Sequence, residues 1–237
     1  MEVIDKIVFG DNQFFGINHM SESKAQQLTE IFSDINNVFK VYNCAFEHGI
    51  NAVMLNSNDR AKEITDIFKR NKSRYGRIHW YPSIPYPHKY SNMMAEKGVI
   101  PAINEILFKG GSVKETLGTI AKGGTVIFGK NAIKLMQMLI DIEMKIFNGL
   151  NIKAIFLQNV ITDLMLGFGV KDVFYEYSDY IRRKYRVTPG FITLNFPYIY
   201  KLFNEWGIKE VAICTSFNKI GFTMSPDVES YISTAKY

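Results

Sequence analysis

Few side chains in this sequence could carry a proton or engage a carbonyl near neutral pH, and they gather in short polar stretches. The first is Gly10-Asp11-Asn12-Gln13-Phe14-Phe15-Gly16-Ile17-Asn18-His19-Met20, which sets a carboxylate, three amides and an imidazole close together. His19 is the first choice as general acid or base, because histidine alone titrates near neutrality unperturbed. Its plainer role is to support the helix start at Ser21. Asp11 is the carboxylate in the same stretch. Lys219, in Ser216-Phe217-Asn218-Lys219, is the third catalytic candidate, since a desolvated lysine can form a Schiff base with a carbonyl. The alternative for Lys219 is a surface cation that binds a substrate phosphate or nothing.

Around these three stands a set suited to substrate binding: Asn12, Gln13, Asn18, Asn56, Tyr81, His88, Gln158, Asn159, Asn195 and Asn218. Amides offer donors and acceptors at once, so a ring of them suits a polyhydroxylated, carbonyl or phosphorylated ligand. Turns and caps favour the same residues. That explains Asn58-Asp59 well and Asn12-Gln13 or Gln158-Asn159 less well. A metal would need about three convergent ligands. Asp11, His19 and His88 supply them only if folding joins their loops, so no metal is assigned. P-loop, GxGxxG, HExxH and GxSxG patterns are missing, which leaves the cofactor open and argues against kinase, Rossmann, zincin and hydrolase readings.

The elements that must position these residues follow a rhythm. Apolar runs at Lys6–Phe9, Ala52–Leu55, Ile78–Tyr81, Ala154–Leu157, Phe191–Leu194 and Val211–Cys214 read as six strands, each opening into a polar loop. Near-continuous apolar runs are expected of parallel strands buried on both faces, and the alternation with helices points to an α/β fold. The third strand should stop at Pro82, with Pro85 and Pro87 behind it. A helical region from Ser21 to His48 should break near Ser33-Asp34, where a new N-cap can restart it. Ile64, Ile67 and Phe68 mark the next helix.

Residues 82–130 read as a long insertion, with short helices at 91–96, 101–108 and 113–122 and either loop or a seventh strand at 125–128. Asn131 to Asn148 is a helix with the apolar stripe Leu135, Met136, Leu139, Ile142, Ile146, Phe147 and Leu150. Glu143 falls inside that stripe. Its functional reading is a buried carboxylate with a raised pKa; the preferred one is an ion pair to a neighbouring Lys or Arg, because barrel helices face away from the site. Helices follow at Thr162–Leu166, Val173–Tyr185 and Pro197–Trp206, and Ser225-Pro226-Asp227 opens a last one.

The 237 residues fit one domain, 1–237, with 47% apolar and 22% charged residues. No run reaches the length of a membrane span, the first residues lack a signal-peptide pattern, and Cys44 and Cys214 read as buried, reduced thiols. A cytoplasmic protein is expected. The net charge of +5 raises nucleic acid as a partner. The densest basic run, Arg60 to Arg77, crowds the C-terminal end of a helix, where cations complement the macrodipole. No nucleic-acid-binding pattern accompanies it, and nucleic acid is not expected.

Gly10–Met20, together with Phe156-Leu157-Gln158-Asn159 and Asn218-Lys219-Ile220-Gly221-Phe222, resembles a family of uncharacterised prokaryotic TIM-barrel proteins over nearly the whole chain. The resemblance implies a (β/α) barrel holding six or seven of its eight strands, since members usually continue through two more. That family is in turn distantly similar to aldo/keto reductases. Their catalytic pattern carries over poorly: Asn56 stands where an Asp would end the second strand, and Gln158 stands where a His would be.

Three functions follow. One is an enzyme acting on a small carbonyl or sugar-like metabolite, by lyase or isomerase chemistry or as a carbonyl oxidoreductase, at the rim where the strands end. The second is a catalytically inactive binding or assembly protein, a homo-oligomer covering open strand edges. The third is electrostatic binding of nucleic acid, which predicts steep salt dependence.

Overall fold

The computed structural model describes residues 4–86 and 130–236. The readings that fall on 87–129, His88 and the seventh strand among them, lie outside these residues.

The domain is mixed α/β, and its parallel sheet curls into a half-barrel. Its strands are β1 (Ala52–Asn56), β2 (His79–Ile84), the two-residue β3 (Asn151–Ile152), β4 (Ala154–Leu157), β5 (Thr188–Thr193) and β6 (Ala212–Thr215). The order across the sheet is β1-β2-β4-β5-β6, with β3 also paired to β2. Each new strand joins on the same side as the last. This is the winding that curls a sheet toward a barrel.

The helices before β1 are α1 (Glu22–Ser33) and α2 (Ile35–Glu47). Asp34 separates them and caps the second, its carboxylate accepting the Asn36 N–H at 2.9 Å. The crossover from β1 to β2 holds α3 (Ala61–Arg70) and the short α4 (Lys72–Tyr75). Then come α5 (Lys130–Met144), α6 (Asn159–Gly167), α7 (Lys171–Tyr180), α8 (Phe196–Trp206) and α9 (Val228–Thr234). Gly207 ends α8 at φ 73°, a left-handed conformation that costs glycine little. Among the described residues no helix is long and apolar enough to cross a membrane.

Strand alternation divides the core in two. Val53, Leu55, Trp80, Ile84, Ile155, Leu157 and Phe191 face the helices and belong to the main core. Ala52, Tyr81, Ala154 and Phe156 face the concave side, with Val8, Met54, Ile192, Ala212 and Cys214 packed against them. All four residues of β6 remain half-exposed.

Several sequence expectations change. Lys6–Phe9 is no strand but a single parallel rung, Phe9 beside Val53, because only Phe9 bonds to β1, its N–H donating to the Ala52 carbonyl and its carbonyl accepting the Met54 N–H. β2 does not stop at Pro82. Its register against the β3–β4 segment slips by one residue between Trp80↔Ile152 and Ser83↔Phe156. This bulge falls where the proline has no N–H to give. Pro189 lies in β5 one residue before pairing with β6 begins at Gly190. Ile142, placed in the apolar stripe of α5, is exposed, whereas Met136, Ile140, Met144 and Phe147 are buried. Cys44 is exposed and Cys214 half-buried. Asp227, rather than Ser225, caps α9 through the Ser230 N–H at 2.7 Å.

Candidate active site at the strand ends

Asp11 follows the Phe9 rung and is 7% exposed. The chain turns there into a short 3-10 helix (Asn12–Phe15), closed by Gly16 at φ 64°. A side chain on Gly16 would strike Thr29 and the Ala25 carbonyl of α1, so the turn and helix fit only through glycine. This turn tucks the Asp11 carboxylate against the end of β1, where Oδ2 accepts the Asn56 N–H at 2.7 Å. Burial raises the Asp11 pKa to about 6, against the lowering effect of its hydrogen bonds to Asn56. A carboxyl poised there can exchange protons near neutrality.

Polar contacts continue outward from Asp11. The Asn56 side-chain oxygen accepts from the Asn58 N–H at 3.1 Å and from Asn58 Nδ2 at 2.7 Å. Asn58 Oδ1 in turn accepts the N–H groups of Arg60 and Ala61, opening α3. Arg60 is tethered by its Nη1 to the Phe32 carbonyl at 2.6 Å, and its Nε lies 3.4 Å from Glu63. Asn58, Asp59, Arg60 and Tyr86, with Phe14, Phe15 and Thr29, line a cavity of about 360 Å³. Burial raises the Tyr86 hydroxyl pKa, and the charges of Asp11 and Asp59 add to the effect. Beneath the turn, the Tyr42 hydroxyl is fully buried and has no hydrogen-bond partner among the described residues. Burial, reinforced by Asp11, pushes its pKa well up.

A second carboxylate reaches the same strand exit from the other side. Glu143 of α5 is 1% exposed and accepts the Ser57 hydroxyl, and its Oε2 also takes the Tyr86 N–H at 3.0 Å. The expectation that this helix faces away from the site is corrected. The stripe that buries Glu143 points at the loops leaving β1 and β2. Farther along the rim, Asp163 of α6 accepts from the Thr193 hydroxyl and from the Leu194 N–H at 3.0 Å. Burial raises its pKa despite those bonds.

The other candidates scatter. His19 is exposed in the turn before α1, and Asn12 is exposed at the start of the 3-10 helix. Gln13 donates to the Gly10 carbonyl at 2.8 Å, and Asn18 accepts the Met20 and Ser21 N–H groups. Asn195 caps α8 through the Tyr198 N–H, and Asn218 accepts the Ile220 and Phe222 N–H groups within its own loop. These amides are engaged in turn chemistry. Gln158 is buried and donates to the Ser83 carbonyl at 3.1 Å, and Asn159, half-buried, begins α6. The Tyr81 hydroxyl runs to Asp5, which also holds His79 Nδ1 at 2.9 Å. That cluster lies toward the N-terminal ends of the strands, away from Asp11.

Lys219 is exposed in the loop after β6, the sheet edge opposite β1. Four strand spacings, about 19 Å along the sheet, lie between those edges. The catalytic candidates therefore divide, with Asp11 and His19 on one side and Lys219 on the other.

No family model matches the chain, and no curated protein or solved structure is significantly similar to it. The site must be read from its own geometry. Asp11, Ser57, Tyr86 and Glu143 converge on one strand exit. Glu143 was legible in the sequence only as a member of an apolar helical stripe. The one available signal was a charged residue where the period demanded an apolar one. Among the described residues, no three His, Cys, Asp or Glu side chains are grouped to hold a metal ion.

Proposed function

We propose that this chain is an enzyme of the (β/α)-barrel type that acts on a small carbonyl- or hydroxyl-bearing metabolite at the β1 exit. Asp11 is the proton carrier. The observation that carries the reading is a buried carboxyl with a pKa of about 6 on the Asn56 N–H, set behind a cavity whose wall combines Phe14 and Phe15 with Asn58, Asp59, Arg60 and Tyr86. Arg60 and Asn58 position the substrate, and the Tyr86 hydroxyl, kept protonated, donates to its oxygen. Proton transfer at a carbon next to a carbonyl, as in an isomerase or lyase, fits this set without a further cofactor. His19 and Lys219 are assigned no role at this cavity.

The test is deuterium uptake from heavy water into a panel of small ketoses, aldoses and oxo acids, alone and as phosphates. Wild-type protein should exchange a substrate proton, and Asp11→Asn should lose the exchange while remaining folded. Equal exchange by both proteins sinks the reading. Including NADPH covers a reductase, for which the resemblance to aldo/keto reductases is the support.

The exposed edge of β6 favours a second reading, a barrel completed by assembly. Among the described residues no strand pairs with the outer edge of β6, and open edges invite pairing. Light scattering at working concentration checks it: an oligomer is required, and a monomer removes it.

A further inference from the structure

A second cavity, of about 300 Å³, lies at the opposite end of the sheet, where the chain leaves α8 to enter β6. Tyr175, Ser178 and Arg182 line it from α7 and the turn that follows. Gly207 to Glu210 line it from the connecting loop. It shares no lining residue with the cavity at the β1 exit.

Three features of this place stand out. Ser178 is 2% exposed, and among the described residues its hydroxyl has no hydrogen-bond partner. Leaving a buried hydroxyl unpaired is unfavourable, so its presence points to a missing partner. After α7 the helix continues as a π-helical turn (Ile181–Tyr185), a geometry often found at functional sites. That turn carries Arg182, whose Nη2 donates to the Lys209 carbonyl at 2.6 Å and the Glu210 carbonyl at 3.0 Å. The guanidinium is thereby fixed on the cavity wall. Among the described residues its Nε and Nη1 make no hydrogen bond, so two charged donors stay available.

Arg182 and Lys209 are the cations on the cavity wall; Arg183 and Lys184, next along the chain, are paired with Asp179 and Asp141. Glu210 is exposed and contributes its carbonyl to Arg182. The Tyr175 hydroxyl donates to the Trp206 carbonyl, which leaves its oxygen as an acceptor and its ring as an apolar wall. Arg182, Ser178 and Lys209 thus offer donors to oxyanion oxygens, with Tyr175 and Ile208 beside the ligand's body.

We propose that this cavity is a binding site for a small oxyanion, a phosphate ester or carboxylate, held by Arg182 and the Ser178 hydroxyl. The volume, at the small end of ligand pockets, suits a metabolite of a few carbons. The site stands at the far end of the strands from Asp11 and is independent of any reaction there.

The experiment is an NMR titration of the whole chain with inorganic phosphate and, separately, succinate, at constant ionic strength. Saturable shifts should appear at Ser178, at the Arg182 side chain and at the Gly207–Glu210 amides. Ser178→Ala should weaken binding about tenfold, and Arg182→Ala should abolish it. Ser178→Ala removes only an unpaired hydroxyl, so its fold should survive; unchanged amide dispersion checks this. Arg182→Ala supplies the second reading should Ser178→Ala unfold. Preference between phosphate and succinate identifies the class of anion. No saturable shift with either anion would overturn the proposal. So would shifts confined to other basic loops, or affinity unchanged in both variants.

Discussion

The carboxylate of Asp11 accepts the backbone N–H of Asn56 at 2.7 Å across 45 positions of sequence. This bond fixes the first turn onto the end of β1. It also removes the carboxyl from water, and burial sets its acidity.

The first prediction concerns pH. Asp11 titrates at about 6 in the folded chain and near 3.8 when unfolded. The folded state therefore binds more protons between those values, and stability falls as pH rises through that window. The shift corresponds to about 3 kcal/mol, complete above roughly pH 7. Asp11→Asn keeps an acceptor for Asn56 and loses the penalty. Urea unfolding at pH 4 and pH 7.5 should show the variant more stable than wild type at pH 7.5 only. It should also lack substrate-proton exchange.

Glu143 gives the second. Replacing it by Ala removes the acceptor of the buried Ser57 hydroxyl and of the Tyr86 N–H. The loss should be about 2–4 kcal/mol by denaturant unfolding. Glu143→Gln, which retains an acceptor, should cost less. Equal losses would mean that the charge, rather than the acceptor, is what the site needs.

Tyr231 gives the third. Its ring is fully buried, and its hydroxyl donates to the Leu194 carbonyl at 2.7 Å. It also meets the Phe196 N–H at 3.1 Å and the Thr215 hydroxyl at 3.3 Å. One phenol from α9 thus ties together the exits of β5 and β6. Tyr231→Phe should lower stability by about 1–3 kcal/mol and speed amide exchange at Phe196 before it affects β1.

Gly190 gives the fourth. A Cβ there would sit 2.5 Å from the Phe156 ring on the neighbouring strand. Gly190→Ala should force that ring into the concave face and cost about 1–3 kcal/mol, read as a lower midpoint in thermal unfolding. Phe156→Leu in the same background should recover part of the loss.

The sequence by itself determined most elements and many of their ends. The break at Asp34, the helix end at Trp206 and the α/β alternation depend on contacts within a few residues, which local chemistry reports directly. It also placed Asp11 among the candidates, though not for its acidity. A carboxylate is ordinary until its burial is known.

The tertiary structure decided the rest. It placed Lys219 at the opposite sheet edge, turned Tyr81 toward Asp5, and carried β2 through Pro82 by a one-residue register slip. It also joined Glu143 to Ser57 across 86 positions. Periodicity states which face of a helix is buried but not what that face meets. Strand order, register and crossover fix the partners, and they are set by contacts between residues far apart in the chain.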